Sequence, residues 1–581
     1  MKKTEVLTWK IGGIAGGGQQ VAGLIFAKAC ARGGLYTFDS SEYPSLIRGG
    51  LVTYRLSISS QPLSAIYRST NLLIALTQEA LDHCVPDVIS GGAIIVNSDT
   101  CNVKTSGLKG RTVWPISVKE LTAQANVPAL ANNMIMIGMT TALFRYDIML
   151  IRETIKEIFQ GKDEKVIADN IRAAEFGYEY ARKNFKAEVF PYHLPSSRRA
   201  GAKVLVTAND TVSLGAVASG CKFFVAYPMT PATSILHNLM GWSERSGMMV
   251  IQPEDEIAAI HMAIGASYTG VRAMTATSGG GFALMNEGLA LAAMTETPLV
   301  IVEGQRPGPA TGLPTWTEQG DLAYLARAGH GEFPRVILAP GDAAEAYPLT
   351  GLAFNLADRF QIPVFILLDK YLSEAHQSHQ PFTDHFHIDR GDLLTDQQLL
   401  KLKEYKRYLI TKTGISSRTI PGQMDGLHLA NSDEHDEAGY TIEGFSPELR
   451  TKMVAKRLQK LPYLLPELPK PKLYGPKNAQ LTLLGWGSTK GPVLEALKEL
   501  TDVNYFHVTA PWPLSQPIMT KALSGCKKII AVENNATGQF AQLLKGQTGI
   551  AVDDYWLKHD GAQFYPEEIL AKATATGASK K

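Results

Sequence analysis

Cysteine is scarce in this chain: five residues in 581, at Cys30, Cys84, Cys101, Cys221 and Cys526, with no Cys-x-x-Cys among them. No local signature for an iron–sulfur cluster or a structural zinc site is therefore present, and scattered reduced thiols are the better reading. Excess charge is missing as well. Lys and Arg number 57 against 55 Asp and Glu, a formal net charge of +2, which argues against a dominant nucleic-acid or membrane-surface role. No apolar run reaches the length of a membrane span. The start, MKKTEVLTWK, lacks the uncharged apolar core of a secretory signal. The expectation is a cytoplasmic protein with no nucleic-acid or membrane partner and no metal site of its own.

What is present is alternation. The length predicts three or four domains with real cores. Residues 1–190 read as an α/β domain: a strand over Val6 to Ile11, a loop over GGIAGGG (Gly12 to Gly18), and a helix from Gln19 to Arg32 stopped by Gly33-Gly34. Val52, Tyr54, Leu56 and Ile58 alternate like a half-buried strand, and LLIAL and AIIVN are short buried ones. A polar, basic linker is expected over 191–202. A second α/β unit follows over 203–373. Its strand candidates are Phe223–Ala226, Met248–Ile251, Arg272–Ala276, Leu299–Glu303, Val336–Leu338 and Val364–Leu368, alternating with helical patterns. That alternation predicts a parallel sheet covered on both faces, with ligands beyond the carboxyl ends of its strands. Residues 374–477 form an extended polar connection, the kind that wraps a neighbour or makes a lid. Its His376, His379, His385 and His387 fit no standard metal spacing and read as solvated loop residues. A last α/β domain covers 478–575, with strands at LTLLGWG and KKIIAVEN, and a tail covers 576–581.

Four stretches carry candidate chemistry. In FFVAYPMTPATSIL, Pro228 and Pro231 stiffen a corner around Thr230 at a strand end; Thr230 reads as a helix N-cap with Pro231 at the first helical position. In QPEDEIAAIHMAIGASYTG, Glu256 falls in the first turn of a helix rich in small residues, where the helix dipole favours negative charge. In TSGGGFALMNEGLALAAMTETP a strand ends, a glycine loop turns and an apolar helix follows; backbone amides in such a loop bind anions or pass close to a ring. In GQRPGPATGLPTWTEQGDL, Arg306 sits in a loop stiffened by proline, suited to bidentate capture of a carboxylate. Thr311, Thr315 and Thr317 supply hydroxyls nearby. Taken singly, each has a plain structural reading: a capped helix start, charged decoration, tight packing, a surface arginine.

Taken in order and spacing, these motifs resemble the α subunit of 2-oxoacid:ferredoxin oxidoreductases, in the form with a γ domain fused ahead of the α region, and most nearly the 2-oxoglutarate enzymes. The resemblance covers nearly the whole chain. It implies three α/β domains: a Rossmann-like γ domain (1–190), a pyrimidine-binding domain for thiamine diphosphate (203–373) and a transketolase C-terminal-like domain (478–575). It implies that Glu256 hydrogen-bonds N1′ of the cofactor's aminopyrimidine, that Thr230 contacts substrate, that Arg306 binds the substrate carboxylate and that Thr315 is a second substrate contact. Tyr227, Pro228, Ser278, Gly279 and Gly280 are expected to border the cofactor. Met229 stands where the family has isoleucine. The implied reaction is oxidative decarboxylation of a 2-oxo acid with coenzyme A, giving acyl-CoA and CO2, with electrons passing to ferredoxin.

One more absence then becomes informative. The Gly-Asp-Gly motif by which such enzymes hold the diphosphate and Mg2+ does not occur in this sequence. The resemblance implies a β subunit that carries the diphosphate and Mg2+ site and an iron–sulfur cluster of the 4Fe–4S type, in an αβ or (αβ)2 assembly. The Gly12–Gly18 loop lacks the third glycine of a dinucleotide fingerprint; what the resemblance implies for this domain is coenzyme A binding, with Gly16, Gly17, Gly18 and Arg48 as the contacts, a structural turn being the alternative for the Arg48 segment. Two rival readings are a β-type chain of a 2-oxoacid dehydrogenase E1 and a non-catalytic nucleotide-binding subunit.

Overall fold

The computed structural model describes residues 6–46, 49–102, 108–186, 189–195, 201–383, 385–442, 444 and 446–581. They form two compact units, one of Met1–Thr207 with Glu374–Thr383 and Tyr565–Ala571, the other of Ala208–Ser373, Asp384–Phe564 and Lys572–Lys581.

The first unit is built on a mixed eight-stranded sheet. Its order is Thr112–Ile116, Val88–Asn97, Thr70–Ala75, Val6–Ile14, Leu51–Ser59, Tyr36–Glu42, Gln377–His379 and Val204–Val206. The first four strands run parallel and the remaining pairings are antiparallel. Two sequence expectations change here. The strand beginning at Val6 continues through Gly12 and Gly13 to Ile14, so the glycine loop is confined to Ala15–Gly18. The Leu51–Ser59 strand is buried on both faces rather than half-buried, because it lies inside the sheet between Val6–Ile14 and Tyr36–Glu42. Helix Gln19–Arg32 starts and stops as the glycines predict and buries Ile25 and Phe26 against Trp9, with the Trp9 and Phe26 rings 5.4 Å apart, edge to face.

The distant segment Glu374–Thr383 is tied in by a buried acid. Asp39, 1 % exposed, accepts from the His376 backbone N–H at 2.7 Å and pairs with its Nδ1 at 2.9 Å, and Tyr54 donates to the same carboxylate. His376 is thus a bonded partner and not a solvated loop histidine. The strand Val204–Val206, which follows the expected linker, also belongs to this sheet; Arg48 lies outside the described residues.

The second unit contains a six-stranded sheet in the order Val336–Leu338, Pro363–Asp369, Leu299–Gln305, Arg272–Thr277, Cys221–Val225 and Met249–Ile251, every pair of it parallel. Each of the six apolar runs identified in the sequence is a strand, and most are buried throughout, as a sheet covered by helices requires. A second sheet of Lys472–Tyr474, Val503–His507, Leu481–Gly485, Ile529–Glu533 and Asp554–Leu557 is parallel apart from its first strand. The two sheets share one core that includes Phe282, Phe365, Trp486 and Phe540. Backbone bonds from Ile337 N to Trp512 O at 2.9 Å and from Ala339 N to Thr509 O at 2.7 Å join them.

The polar connection beyond residue 384 packs onto this unit with unexpected charge inside. Lys456 and Lys460 each reach the Glu296 carboxylate at 2.6 Å, and Arg407 donates to the Glu296 carbonyl at 2.8 Å. All four residues are buried.

Candidate functional site

The site forms where three parallel strands of the second unit end. Cys221–Val225 ends in Tyr227-Pro228-Met229-Thr230-Pro231, and Tyr227 is exposed while Pro228 and Thr230 are half-buried. The Thr230–Pro231 peptide is cis. The helix begins at Thr233 with Ala232 as its N-cap, two residues later than the sequence predicts, so Thr230 is not a cap. The corner is instead braced from outside the helix: Asn209 Nδ2 donates to Pro231 O and Ser234 Oγ, both at 2.8 Å.

The strand Leu299–Gln305 delivers Arg306, whose Nη1 donates to Thr230 O at 2.9 Å. Two residues 76 apart in sequence are thereby joined. No other Arg306 donor has a hydrogen-bond partner among the described residues, which leaves Nε and Nη2 for an incoming anion. Burial lowers the guanidinium's pKa, and Asp321 and Glu303 oppose that shift. The loop that follows is anchored at its far end: Gln319, fully buried, accepts from Asn534 N at 2.9 Å and donates to Trp486 O at 3.0 Å. Thr315 is buried within the loop and has polar partners of its own.

The helix Glu256–Tyr268 is capped by Asp255, which accepts from Ala258 N at 2.7 Å. Asp255 therefore does the capping, and Glu256 is left for something else. Its side chain is 4 % exposed, and its Oε1 has no hydrogen-bond partner. A buried carboxylate oxygen without a donor is costly unless a ligand supplies one.

The stretch Ser278-Gly279-Gly280-Gly281 is not a loop. The helix starts at Gly279, so the three glycines form its first turn. Their role is close approach: a Cβ on Gly281 would stand 2.5 Å from Glu256 Oε1 and 2.2 Å from Thr277 Oγ1, and one on Gly279 would stand 2.5 Å from Asp321 Oδ2. Ser278 is fully buried and its Oγ has no partner. The unit thus brings Glu256, Ser278 and Gly281 together at one helix N-terminus, and Thr230 with Arg306 at the neighbouring strand ends.

Sequence reasoning passed over Glu303, Asp321 and Gly281. A lone acid inside the apolar run LVIVEGQ was the available signal for Glu303. Gly16, Gly17 and Gly18 belong to the first unit. Gly16 and Gly18 have φ of 84° and 85°, and the buried Gln19 side chain fills the space beside Gly13 and Gly17. Asn133 donates to Gly17 O, and its own Oδ1 is buried without a partner. Among the described residues no group of three or more His, Cys, Asp or Glu side chains is arranged to hold a metal ion, and no helix is long and apolar enough to cross a membrane.

Residues 214–444 match the family described as "Pyruvate flavodoxin/ferredoxin oxidoreductase, thiamine diP-bdg" and residues 8–180 the family "Pyruvate ferredoxin/flavodoxin oxidoreductase". The 2-oxoacid:ferredoxin oxidoreductase subunit alpha of Saccharolobus solfataricus is 32% identical over 97% of this chain and 96% of its own length. The 2-oxoglutarate synthase subunit KorA of Methanothermobacter thermautotrophicus is 31% identical over 63% of this chain and 96% of its own. Among solved structures, a 2-oxoglutarate:ferredoxin oxidoreductase from Magnetococcus marinus, with 2-oxoglutarate, coenzyme A and succinyl-CoA bound, superposes with a TM-score of 0.92 at 30% identity, covering 99% of this chain and 100% of that one. Fold and site define a chain of a thiamine diphosphate-dependent oxidoreductase. It belongs to the family of 2-oxoacid:ferredoxin oxidoreductase α subunits.

Proposed function

We propose that this chain supplies the aminopyrimidine and substrate-carboxylate half of an active site that oxidatively decarboxylates 2-oxoglutarate with coenzyme A, yielding succinyl-CoA, CO2 and electrons for ferredoxin. The observation that carries this reading is the orphaned Glu256 Oε1 beside Gly281. A carboxylate held there without a donor suits a protonated ring nitrogen, and a side chain on Gly281 would collide with that oxygen and displace it. When bound, thiamine diphosphate supplies carbanion stabilisation at the carbon that loses CO2.

The chain's own residues then have separate tasks. Glu256 holds a proton between its carboxyl and N1′ of the aminopyrimidine. Arg306, fixed through Nη1 to Thr230 O, turns Nε and Nη2 towards the carboxylate next to the 2-oxo group, the paired geometry an arginine fork provides. The Thr230 and Thr315 hydroxyls line the substrate, while Tyr227, Pro228, Ser278, Gly279 and Gly280 border the cofactor. In the first unit, Gly16, Gly17 and Gly18, with Arg48, contact coenzyme A.

A β subunit completes the assembly, as αβ or (αβ)2, and carries Mg2+, the diphosphate site and the 4Fe–4S cluster. The complex works in the cytoplasm. Residues 1–190 are read as the γ domain, 203–373 as the pyrimidine-binding domain and 478–575 as the transketolase C-terminal-like domain. The choice of 2-oxoglutarate rests on the compounds bound in the Magnetococcus marinus enzyme. The test is to purify the chain with its partner subunit and follow viologen reduction with a panel of 2-oxo acids, with and without thiamine diphosphate and coenzyme A. Dependence on a lipoyl protein, or activity that survives Glu256→Ala, would sink the reading.

A further inference from the structure

Beneath Arg306 lies a second acid that the reaction as described does not use. Glu303, on the strand Leu299–Gln305, is completely buried, and no N–H or O–H among the described residues donates to either of its carboxyl oxygens. The group that faces it is another carboxyl, that of Asp321. Two ionised carboxylates cannot hydrogen-bond each other; Glu303 would pay the full cost of burial, and the half-buried Asp321 part of it, beside like charge. A single proton between them removes both difficulties.

We propose that Glu303 and Asp321 share one proton and act as a positioning pair for Arg306, so that the two acids together place one negative charge, not two, beside the end of the site meant for the substrate carboxylate. The proposal rests on the reading of Arg306 as the carboxylate-binding residue. Geometry says which partner keeps the proton. Asp321 Oδ2 lies against Gly279, the first residue of the sixteen-residue helix Gly279–Met294, and the positive end of that helix favours the ionised form. Asp321 is also fixed through its backbone, whose N–H donates to Gln305 Oε1 at 3.0 Å, while Gln305 Nε2 donates to Leu368 O at 3.1 Å. Glu303, enclosed between Thr277 and Leu367 on the neighbouring strands, keeps the proton.

The electrostatics agree with that geometry. Burial, the Asp321 carboxyl and Asp369 push Glu303 well above the ordinary carboxyl range, against a smaller opposing pull from Arg306. Burial raises Asp321 too, with Glu303 and Arg306 acting against it. The other titratable groups facing the pair are Asp369 on the strand Pro363–Asp369, pushed by burial up to about 6, Glu318 in the loop and Tyr324 on the helix Leu322–Arg327. Glu256 sits two residues along, against Gly281. With its proton, the pair balances the single charge of Arg306. Without it, one surplus negative charge confronts the incoming carboxylate.

The experiment uses the enzyme assembled with its partner subunit and has two arms. Infrared spectroscopy at neutral pH should show a protonated carboxyl band that Glu303→Gln removes. In kinetics, Glu303→Leu leaves Asp321 without its donor and should raise KM for the 2-oxo acid roughly ten-fold, with kcat moved less. Glu303→Gln, whose amide donates to Asp321, should restore most of that loss and abolish the alkaline rise in KM expected of the wild type. A wild type lacking the band, a Gln variant retaining it, or equal KM effects from Leu and Gln would overturn the proposal. If Glu303→Leu fails to assemble, the Gln variant decides alone through its band and alkaline profile. Should Arg306→Lys leave KM unmoved, the carboxylate reading and the positioning role fall together, while the infrared band still decides the shared proton.

Discussion

The guanidinium of Arg306 donates from Nη1 to the carbonyl oxygen of Thr230 at 2.9 Å. One residue follows the strand Leu299–Gln305 and the other the strand Cys221–Val225, separated in the sheet by Arg272–Thr277. Parallel sheets place their functional loops at the carboxyl ends of strands, and here two such loops are locked to each other before any ligand arrives. The bond spends one edge of the guanidinium on orientation and leaves the other for chemistry.

Arg306→Lys tests that division. An ammonium can bond either the Thr230 carbonyl or a carboxylate, but it cannot present a fork to the second while holding the first. KM for the 2-oxo acid should rise about ten-fold, the loss of roughly one charge-assisted hydrogen bond, with a smaller change in kcat. Steady-state kinetics with a viologen acceptor reads both, and an unchanged KM for every 2-oxo acid tried refutes the role.

Glu256→Ala should lower turnover by roughly 10²-fold or more, the range for general acid–base groups. Gly281→Ala should also impair the enzyme although it removes no chemistry, because its Cβ would stand 2.5 Å from Glu256 Oε1. The discriminating measurement is thiamine diphosphate binding by the assembled enzyme: Gly281→Ala should weaken it, and a variant that binds and turns over normally would show that the Glu256 carboxylate does not need its place against Gly281.

These two residues also mark how far the sequence reading reached. The six strands between residues 221 and 369 were legible because each is a short apolar run between helical patterns, and a covered parallel sheet leaves few alternatives. Glu256 was legible through its place in a helix's first turn, but its importance depends on Asp255 doing the capping, which no spacing rule separates from Glu256 doing it. The Gly279–Gly281 run was misread as a loop because glycines usually break helices; here they begin one, and what they permit is contact with Glu256 and Asp321. The first sheet was the least legible. Its edge borrows Gln377–His379 and Val204–Val206 from distant stretches, and pairing at such separation leaves no local trace. Glu303 was overlooked for a related reason: a single acid in LVIVEGQ reads as a strand end until the structure shows what faces it.

Gly18→Ala addresses the first unit. Gly18 has φ of 85°, where a side chain is strained, and its Cβ would meet Asn133 Nδ2 at 2.9 Å. If this turn contacts coenzyme A, KM for coenzyme A should rise several-fold, an effect of about 1 kcal/mol, while KM for the 2-oxo acid stays put. An equal change in both constants would assign the glycine to general stability and remove the turn from coenzyme A binding.

The buried charge network around Glu296 predicts a pH dependence that has nothing to do with catalysis. Burial alone would raise this carboxyl, but Lys456, Lys460 and Arg407 outweigh it and hold it well below the ordinary value of 4.5. A carboxyl depressed in the folded state contributes stability that is present above its unfolded pKa and lost as pH falls below it. Glu296→Gln removes the charge that compensates two buried lysines and should destabilise the chain by about 3 kcal/mol near neutral pH, the cost of breaking a buried pair from one side. Thermal unfolding followed from pH 7 downward should show the wild type losing its advantage below about pH 4.5 and the two curves drawing together as Glu296 is protonated. A gap that stays constant across that range would mean the destabilisation comes from packing, and that the lysines are compensated by something other than this carboxylate.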